Sequence, residues 1–490
     1  MRGRSGVCLL LVSLVLAGTA CRQAPPATPA PTATATPPPQ TVQVWLTTGN
    51  QQHLLARQPD LGLGPAAETA ESAAPRIEID DGQVYQRMEG FGAALTDSSA
   101  WLIAGMPDEA QRARLMDLLF SRQAGISLSY LRLPIGASDF SRTHYTYDDL
   151  PPGQADPELA SFSIDADRAD RLPLLRQARH INPGLQVMAS PWSAPAWMKQ
   201  PRTLYGGSLD YAHYAAYAGY LVRFVQAYEA EGIPIHALTV QNEPRHTDPR
   251  YPTMRLAYPE QARFIREDLG PALDQAGLET RILIWDHNWD GADYPLGVLS
   301  DEGARPYVAG TAWHCYAGEP EAQSVVQQAY PEVDVYFTEC SGGAWDTDFE
   351  SVLGWNMEHL LIGAVRHGAK TVLLWNLALD EGHGPHLGGC DNCRGVVTVR
   401  RDGTVDLNVE YYLLGHLAKF VPPGAVRIGS ETHSSPVESV AFRNPDGSIV
   451  LVAYNAELRA SPALQIVWRD HVFSYTLPRR SVATFVIEGE

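Results

Sequence analysis

The sequence predicts an α/β fold, a (β/α)8 TIM barrel with a β-sandwich domain formed from N- and C-terminal segments. Between about residues 85 and 405, eight short apolar runs alternate with helix-patterned segments, which is typical of βα units around a parallel sheet. After residue 405 the helical pattern gives way to apolar strands joined by turn residues. A similar strand at 41–48 precedes the barrel region, so we expect both ends of the chain to build one antiparallel domain.

The N-terminus has the pattern of an export signal over residues 1–21. Two arginines precede the apolar run "VCLLLVSLVLAG", and "LAGTAC" then resembles a bacterial lipoprotein signal. We expect lipidation of Cys21, which would tether the mature protein to a membrane. Because Gly18 stands where such signals usually have Leu, cleavage after Ala20 and plain secretion is the alternative. Residues 22–40 are rich in Pro, Ala and Thr and predict an extended linker outside the cytoplasm.

The barrel strands are predicted from apolar runs that end in polar or aromatic groups. We place them at residues 90–96, 129–136, 185–193, 236–244, 281–288, 310–316, 335–343 and 371–379. Between them, segment 213–232 repeats apolar residues every three or four positions, which predicts a helix with one face for packing. We therefore assign residues 85–405 to the barrel.

The β-sandwich domain is predicted from residues 41–84 and 406–490. The stretch "SVAFRNPDGSIVLVAYN" has two strands around the turn chemistry of a hairpin, and "SVATFVIE" closes the chain as another strand.

Charge and cysteine content exclude some classes of protein. The chain has 37 Lys and Arg against 56 Asp and Glu, a net charge of −19, which argues against a nucleic-acid partner. Cys390 and Cys393 in "CDNC" predict either a local disulfide or half of a zinc site. No second CxxC or paired His accompanies them, which favours the disulfide, and we predict no metal and no cofactor.

Two glutamates stand at the ends of predicted strands 4 and 7. Glu243 follows "LTVQN" and Glu339 follows "VYFT", 339 − 243 = 96 residues later. A barrel gathers its strand ends at one face, and glycoside cleavage needs two carboxyl groups there, one as acid and one as base or nucleophile. Since most acidic residues are solvated surface groups, either Glu by itself would be weak evidence.

The motifs around this pair resemble glycoside hydrolase family 30, especially its glucosylceramidase branch. They occur in order as "MEGFGAALTDSSA", "LRLPIGASDFSRTHYTYDD", "ASPWSAPAWMK", "LTVQNEP", "AWHCY", "YFTEC", "WNLALDEGHGP" and "LLGHLAKFVPPGAVRI". The resemblance implies a retaining mechanism with Glu243 as acid/base and Glu339 as nucleophile. Such an acid needs a raised pKa, while the nucleophile must stay ionised.

The same resemblance implies a set of substrate-binding and supporting residues. Substrate contacts are expected from Asp139, Trp192, Asn242, Tyr316, Trp375 and Asn376, and support from Arg132 and His314. Each also has a structural reading: the tryptophans as core or rim residues, Asp139 as a helix cap, Arg132 as an ion pair and His314 as a packed histidine. Asp286 and His287 are expected on the pocket wall, and the family's chemistry needs no metal or cofactor.

The substrate is expected to be a carbohydrate or a glycolipid. The leading reading is a β-glucosidase of glucosylceramidase type. The alternatives are another family 30 activity, endo-β-1,6-glucanase or β-xylosidase, and a surface glycan-binding protein without catalysis. The sequence "HLGGCDNCRGVVTV" and Cys315 depart from the animal glucosylceramidase pattern, which puts ceramide recognition in doubt.

Overall fold

The computed structural model describes residues 41–65 and 75–489. The predicted signal peptide, Cys21 and the linker at 22–40 lie outside the described residues. Among the residues described, no helix combines the length and the apolar character that crossing a bilayer requires.

The strands, in chain order, alternate between a barrel, a large sheet that is antiparallel except for one parallel pair, and short ribbons. They are β1 (Thr41–Thr48), β2 (Ala56–Gly62), β3 (Gly64–Pro65), β4 (Arg76–Arg87), β5 (Gly90–Ala94), β6 (Tyr130–Ile135), β7 (Gln186–Pro191), β8 (Lys199–Gln200), β9 (Ser208–Leu209), β10 (Ala237–Thr239), β11 (Arg281–Asn288), β12 (Val308–His314), β13 (Asp334–Glu339), β14 (Gly342–Gly343), β15 (Ala369–Leu374), β16 (Ala378–Leu379), β17 (Cys393–Arg394), β18 (Val397–Val399), β19 (Val405–Leu407), β20 (Val426–His433), β21 (Glu438–Arg443), β22 (Ile449–Asn455), β23 (Leu464–Trp468), β24 (His471–Tyr475) and β25 (Ser481–Ile487).

The helices fall mostly between barrel strands. The α-helices are α1 (Asp97–Ala104), α2 (Glu109–Phe120), α3 (Arg171–Ile181), α4 (Tyr214–Ala230), α5 (Tyr258–Phe264), α6 (Gly270–Ala276), α7 (Asp293–Leu299), α8 (Glu321–Ala329), α9 (Phe349–Asn356) and α10 (Val409–Ala418). Two π-helical stretches, Ile265–Leu269 and Met357–Ala364, continue α5 and α9, and single 3-10 turns occupy Asp165–Asp167, Ala196–Met198, Tyr211–His213, Trp289–Gly291 and Arg305–Tyr307.

Eight parallel strands close into a barrel in the order β5, β6, β7, β10, β11, β12, β13 and β15. All eight predicted barrel strands are thereby confirmed. The inside of the barrel is filled by side chains from seven of them, namely Tyr130, Met188, Ala237, Leu283, Ala312, Tyr336 and Leu373. The interior is therefore a packed core, and the chemistry must lie above the carboxyl ends of the strands.

The predicted helix at 213–232 is α4. Its apolar face is buried from Tyr217 to Tyr228, as the three-and-four spacing predicts. Gly232 follows with a φ of +78°, a left-handed conformation that glycine adopts without strain and that ends the helix.

The sheet outside the barrel contains strands from both ends of the chain. Its order is β2, β1, β25, β22, β21, β20, β4, β23, β24 and β3. Strands β24 and β25 are far apart in that order, yet the rings of Phe473 and Phe485 lie 5.4 Å apart. The sheet therefore folds over into two layers with a shared core, which confirms the predicted β-sandwich from N- and C-terminal segments.

Helix α10 joins the two parts. It contacts barrel strand β5 and sandwich strand β25, and His416 on it hydrogen-bonds Thr484 at 2.9 Å and Thr47 at 2.8 Å, all three buried. This helix, which follows the predicted boundary at 405/406, thus packs on both the barrel and the sandwich. The apolar composition of α10 did not show which of two domains it packs on.

Candidate active site

The two predicted glutamates meet above the barrel. Glu339 is the last residue of β13, and Glu243 lies four residues after β10. One carboxylate oxygen of each, together with a ring nitrogen of His314, lie within 4.8 Å of one another. Carboxyl groups in retaining glycosidases are about 5–5.5 Å apart, and in inverting ones about 6.5–9.5 Å. The nearest oxygens of this pair thus lie closer together than the inverting range.

Left-handed backbone occurs at three residues near the carboxyl ends of barrel strands. Glu243, Asp286 and Asn376 have φ values of 46°, 58° and 50°. Each costs roughly 1–2 kcal/mol in a residue other than glycine. The backbone N–H of Glu243 is fixed by a 3.0 Å hydrogen bond to the carbonyl of Asp286. Strain of this kind, concentrated at one face, is typical of functional sites.

Arg132 and Tyr316 hold Glu339. The Arg132 guanidinium forms an ion pair with Oε2 of Glu339 and donates to Oδ1 of Asn242 at 2.7 Å. The Tyr316 hydroxyl donates to Oε1 of Glu339 at 2.9 Å. These donors stabilise the ionised carboxylate, and Arg132 also fixes the amide of Asn242 beside Glu243.

Asp286 lies at the centre of a buried hydrogen-bond network. Its Oδ2 accepts from Arg132 at 2.8 Å, and its Oδ1 lies 2.9 Å from Nε2 of His314. Hydroxyls from three other strand ends also donate to it: Ser190 at 2.7 Å, Thr239 at 2.8 Å and Thr338 at 2.8 Å. Burial raises its pKa, but the charges of Arg132 and His314 outweigh burial and hold it well below its ordinary value. Asp286 is fully buried, so it organises the site from beneath and is absent from the pocket wall where the sequence placed it.

His314 lies between Asp286 and Glu243 and contacts both. Its Nδ1 lies 3.1 Å from Glu243 and its Nε2 faces Asp286. Burial lowers its pKa, but the charge of Glu339 and the hydrogen bond to Asp286 outweigh burial and raise the pKa to about 9. At neutral pH both ring nitrogens therefore carry protons and donate. The hydrogen bond between His314 and Glu243 therefore offers a path for proton transfer.

The pKa of Glu243 is opposite to the direction that the sequence led us to expect. Burial raises it, but the hydrogen bond from His314 and the charges of His287 and His314 lower it to about 2. For Glu339, burial and the nearby charge of Glu243 outweigh the charges of His314 and Arg132 and raise the pKa, which is also opposite to the expectation for a nucleophile that stays ionised. In the unliganded protein the proton next to Glu243 thus resides on His314.

A cavity of about 360 Å³ opens above these groups. Its walls include the predicted residues Asp139, Trp192, Asn242, Glu243, Tyr316, Glu339 and Trp375. Other lining residues were not singled out from the sequence: His246, Asp248, Arg250, Tyr251 and Trp345. Most of them belong to the polar and aromatic stretch "RHTDPRYP" at 245–252, which begins two residues after Glu243.

The predicted aromatic and amide contacts differ in their access to a substrate. Trp192 and Trp375 stack on each other at 5.1 Å, and Arg132 lies 4.9 Å from the Trp192 ring. One face of each indole is thus already covered. Asn376 is fully buried, accepts from Thr96 at 2.9 Å and does not line the cavity, so it supports the wall from behind.

Asp139 lies under the loop that carries "CDNC". Burial and the charge of Glu339 raise the pKa of Asp139 to about 8, so at neutral pH it can donate a hydrogen bond as well as accept one. The loop backbone approaches closely, because a β-carbon at Gly389 would stand 2.3 Å from the Asp139 side chain. A disulfide joins Cys390 and Cys393 and closes this loop against the cavity.

A second disulfide was not predicted. It joins Cys315 to Cys340, which are the residues directly before Tyr316 and directly after Glu339. The bond therefore ties together the two strand ends that carry a hydrogen-bonded pair of the site. Sequence alone did not indicate it, since the cysteines are 25 positions apart and only barrel closure makes them neighbours.

Comparison with known proteins identifies the family. The domain description "Glycosyl hydrolase family 30 TIM-barrel domain" matches residues 88–421, and "Glycosyl hydrolase family 30 beta sandwich domain" matches residues 424–485. An endo-1,6-beta-D-glucanase from Neurospora crassa is 37% identical over 432 residues, which cover 84% of this chain and 88% of that protein. The lysosomal acid glucosylceramidase of Mus musculus is 30% identical over 465 residues, covering 88% and 87%. The solved structure of an endo-beta1,6-glucanase has a TM-score of 0.84 at 33% identity, covering 92% of this chain and 99% of that one.

A barrel with two facing glutamates, flanked by a β-sandwich, defines the class as an O-glycosyl hydrolase acting on carbohydrate. Within that class, the chain belongs to glycosyl hydrolase family 30. The resemblance inferred from the ordered sequence motifs is thereby confirmed at the level of the family.

Proposed function

We propose that this protein is a retaining β-glucan hydrolase of the endo-β-1,6-glucanase type, with Glu339 as nucleophile and Glu243 as acid/base. The observation that carries the proposal is the approach of the two carboxylates and His314 within 4.8 Å, too close for a water to act between them as inversion requires. The glycosyl unit would form a covalent ester with Glu339, which water then hydrolyses.

The choice of substrate rests on the relatives. The endo-1,6-beta-D-glucanase of Neurospora crassa is more similar to this chain than the mouse glucosylceramidase, at 37% against 30% identity. This favours the endo-β-1,6-glucanase alternative over the glucosylceramidase-like interpretation of the sequence motifs. The disulfide loop at Cys390 and the cysteine at position 315, where the sequence departs from the animal pattern, support the same choice.

Bond cleavage begins with the sugar held between Asn242 and Asp139. The amide of Asn242, fixed by Arg132, is placed to bond the 2-hydroxyl, a contact that strengthens in the transition state. Glu339, held by Arg132 and Tyr316, attacks the anomeric carbon. An electron pair of the Glu339 carboxylate forms the new ester bond. The oxygen of the leaving group takes the electrons of the broken bond and needs a proton.

The proton reaches the leaving oxygen through Glu243. His314 carries it in the free protein, and its Nδ1 is one 3.1 Å hydrogen bond from Glu243. Binding of a sugar displaces water and disfavours charge on Glu243, which draws the proton across that bond. Once Glu339 is esterified its negative charge is gone, which lowers the pKa of Glu243 as it turns to act as base for the attacking water.

We also propose that the protein is exported and tethered through Cys21, on the strength of the N-terminal sequence. A Cys21→Ser variant expressed in a bacterial host should move from the membrane fraction to the soluble fraction. Membrane retention of that variant would refute the tether.

The proposed activity is tested by comparing wild type, Glu339→Gln and Glu243→Gln on β-1,6-glucan, β-xylan, glucosylceramide and an aryl β-glucoside. We expect wild type to release reducing ends from β-1,6-glucan and both variants to lose at least about 10³-fold in kcat/KM. Preference of wild type for glucosylceramide or xylan would overturn the substrate assignment. Inert wild-type protein that still binds glucan would point to a glycan-binding protein.

A further inference from the structure

A second cavity borders the catalytic one. Its volume is about 400 Å³, and Tyr316 and Trp345 line both cavities. The Cys315–Cys340 disulfide forms part of its wall. The two cavities are therefore adjacent at Tyr316, the residue that hydrogen-bonds Glu339.

The second cavity presents large aromatic surfaces to solvent. Tyr316, Trp345 and Trp355 are 45%, 57% and 39% exposed. Trp345 lies flat on backbone, because a β-carbon at Gly343 would stand 2.0 Å from its ring. Trp355 stacks on His359 with ring centroids 4.6 Å apart. Exposed aromatic rings grouped at one cavity and held in fixed orientations indicate a binding surface.

Polar groups accompany the aromatic rings. Asp346, Ser351 and Asn356 line the same cavity, and Ser351 donates to Asp346 at 2.6 Å. Aromatic faces next to hydroxyl-binding groups suit a sugar, whose rings have apolar faces and polar edges. An acyl chain has no polar groups that could hydrogen-bond the carboxylate and the amide in this cavity.

Other walls of the catalytic cavity are occupied by packed side chains and a loop. Trp192 and Trp375 stack there, and the Cys390–Cys393 loop lies against Asp139. A chain that extends beyond the cleaved bond has room to continue past Tyr316 and Trp345, which line both cavities. We propose that the second cavity binds the glucosyl units of a β-glucan on the leaving-group side. This inference rests on the function proposed above.

The test compares substrates of different length on variants of the new surface. The probes are β-1,6-linked glucose oligomers of two to six units, 4-nitrophenyl β-glucoside and octyl β-glucoside. For wild type, kcat/KM should rise with oligomer length. Trp355→Ala should lower kcat/KM for the hexamer, relative to that for the aryl glucoside, by about tenfold, while Trp355→Phe keeps most of it. Trp101→Ala is the matched control, since Trp101 is 43% exposed and lines neither cavity; its ratio should equal that of wild type.

Each other outcome overturns the inference. A wild-type kcat/KM independent of length, or equal loss on all substrates in Trp355→Ala and Trp355→Phe, refutes the subsite while leaving the hydrolase intact. Selective loss on octyl β-glucoside would assign the cavity to an alkyl chain instead. Wild type that cleaves neither oligomers nor aryl glucoside refutes the proposed function and the subsite with it.

Discussion

Replacing Asp286 with Asn should damage both stability and catalysis. The substitution keeps the shape of the side chain but removes the charge that pairs with Arg132 at 2.8 Å and His314 at 2.9 Å. Removing one partner of a fully buried ion pair costs about 3–5 kcal/mol. We therefore expect the free energy of unfolding at pH 7 to fall by about 3 kcal/mol or more.

The stability loss should depend on pH with a definite sign. The folded-state pKa of Asp286 lies below its unfolded value of about 3.9. Its contribution is therefore fully present above pH 4 and disappears as the pH falls toward the folded pKa. The difference in unfolding free energy between wild type and Asp286→Asn should shrink accordingly, as measured by urea unfolding at pH 7 and pH 3.

Catalysis should fall because Arg132 and His314 lose their orientation. A loss of about 3 kcal/mol at the transition state corresponds to about a 150-fold drop in kcat/KM. The pKa of His314 should also fall without its carboxylate partner, so the basic limb of the pH–rate profile moves to lower pH. Both are measured by initial rates on an aryl β-glucoside between pH 4 and pH 10.

Asp167→Asn is the matched control. Asp167 is also buried, pairs with Arg171 at 2.8 Å and accepts from the Tyr228 hydroxyl at 2.6 Å, but it lies outside the catalytic cavity. It should lose similar stability and keep its kcat/KM and pH profile. If Asp286→Asn behaved the same way, Asp286 would have a purely structural role and the reasoning would be refuted.

Three further predictions concern neighbours of the pair. Tyr316→Phe removes a donor to ionised Glu339, so the pKa of Glu339 should rise and kcat should drop about tenfold. The acid limb of the pH–rate profile should then move to higher pH, and an unmoved acid limb would contradict this. At Gly389 the φ is +61°, and an alanine β-carbon would stand 2.3 Å from the Asp139 side chain. Gly389→Ala should therefore raise KM for glucosides and lower the melting temperature by no more than a few degrees. An unchanged KM would show that the loop is not a wall of the sugar site. The double variant Cys315→Ala with Cys340→Ala should lose about 3 kcal/mol of stability and lower kcat, whereas unchanged kcat in the folded variant would show that the bond does not position Glu339.

Much of the fold was predictable because its signals are local. Each barrel strand is an apolar run of the right length. Runs such as the one before Glu243 end in polar groups, which are accommodated at the open face of a barrel. Helix α4 follows from its three-and-four spacing. The contacts of helix α10 with both domains were not predictable, because an apolar helix between two domains gives no local sign of which one it covers.

The site was predictable only in part, since its electrostatics depend on the closed barrel. Asp286 follows its strand as many acidic residues do, and its role depends on Ser190, Thr239 and Thr338 from three other strands. The lowered pKa of Glu243 depends on His314, which is 71 positions away. The Cys315–Cys340 bond likewise exists because β12 and β13 are adjacent in space.

The assignment of Glu339 as nucleophile is tested most directly by trapping the covalent intermediate. The protein would be treated with 2-deoxy-2-fluoro-β-glucosyl fluoride, which forms the glycosyl ester quickly and releases it slowly, and then digested for peptide mass spectrometry. We expect one fluoroglucosyl unit on the peptide that contains Glu339, and none in Glu339→Gln. A label on any other residue, or a turnover product of inverted α configuration, would contradict the account.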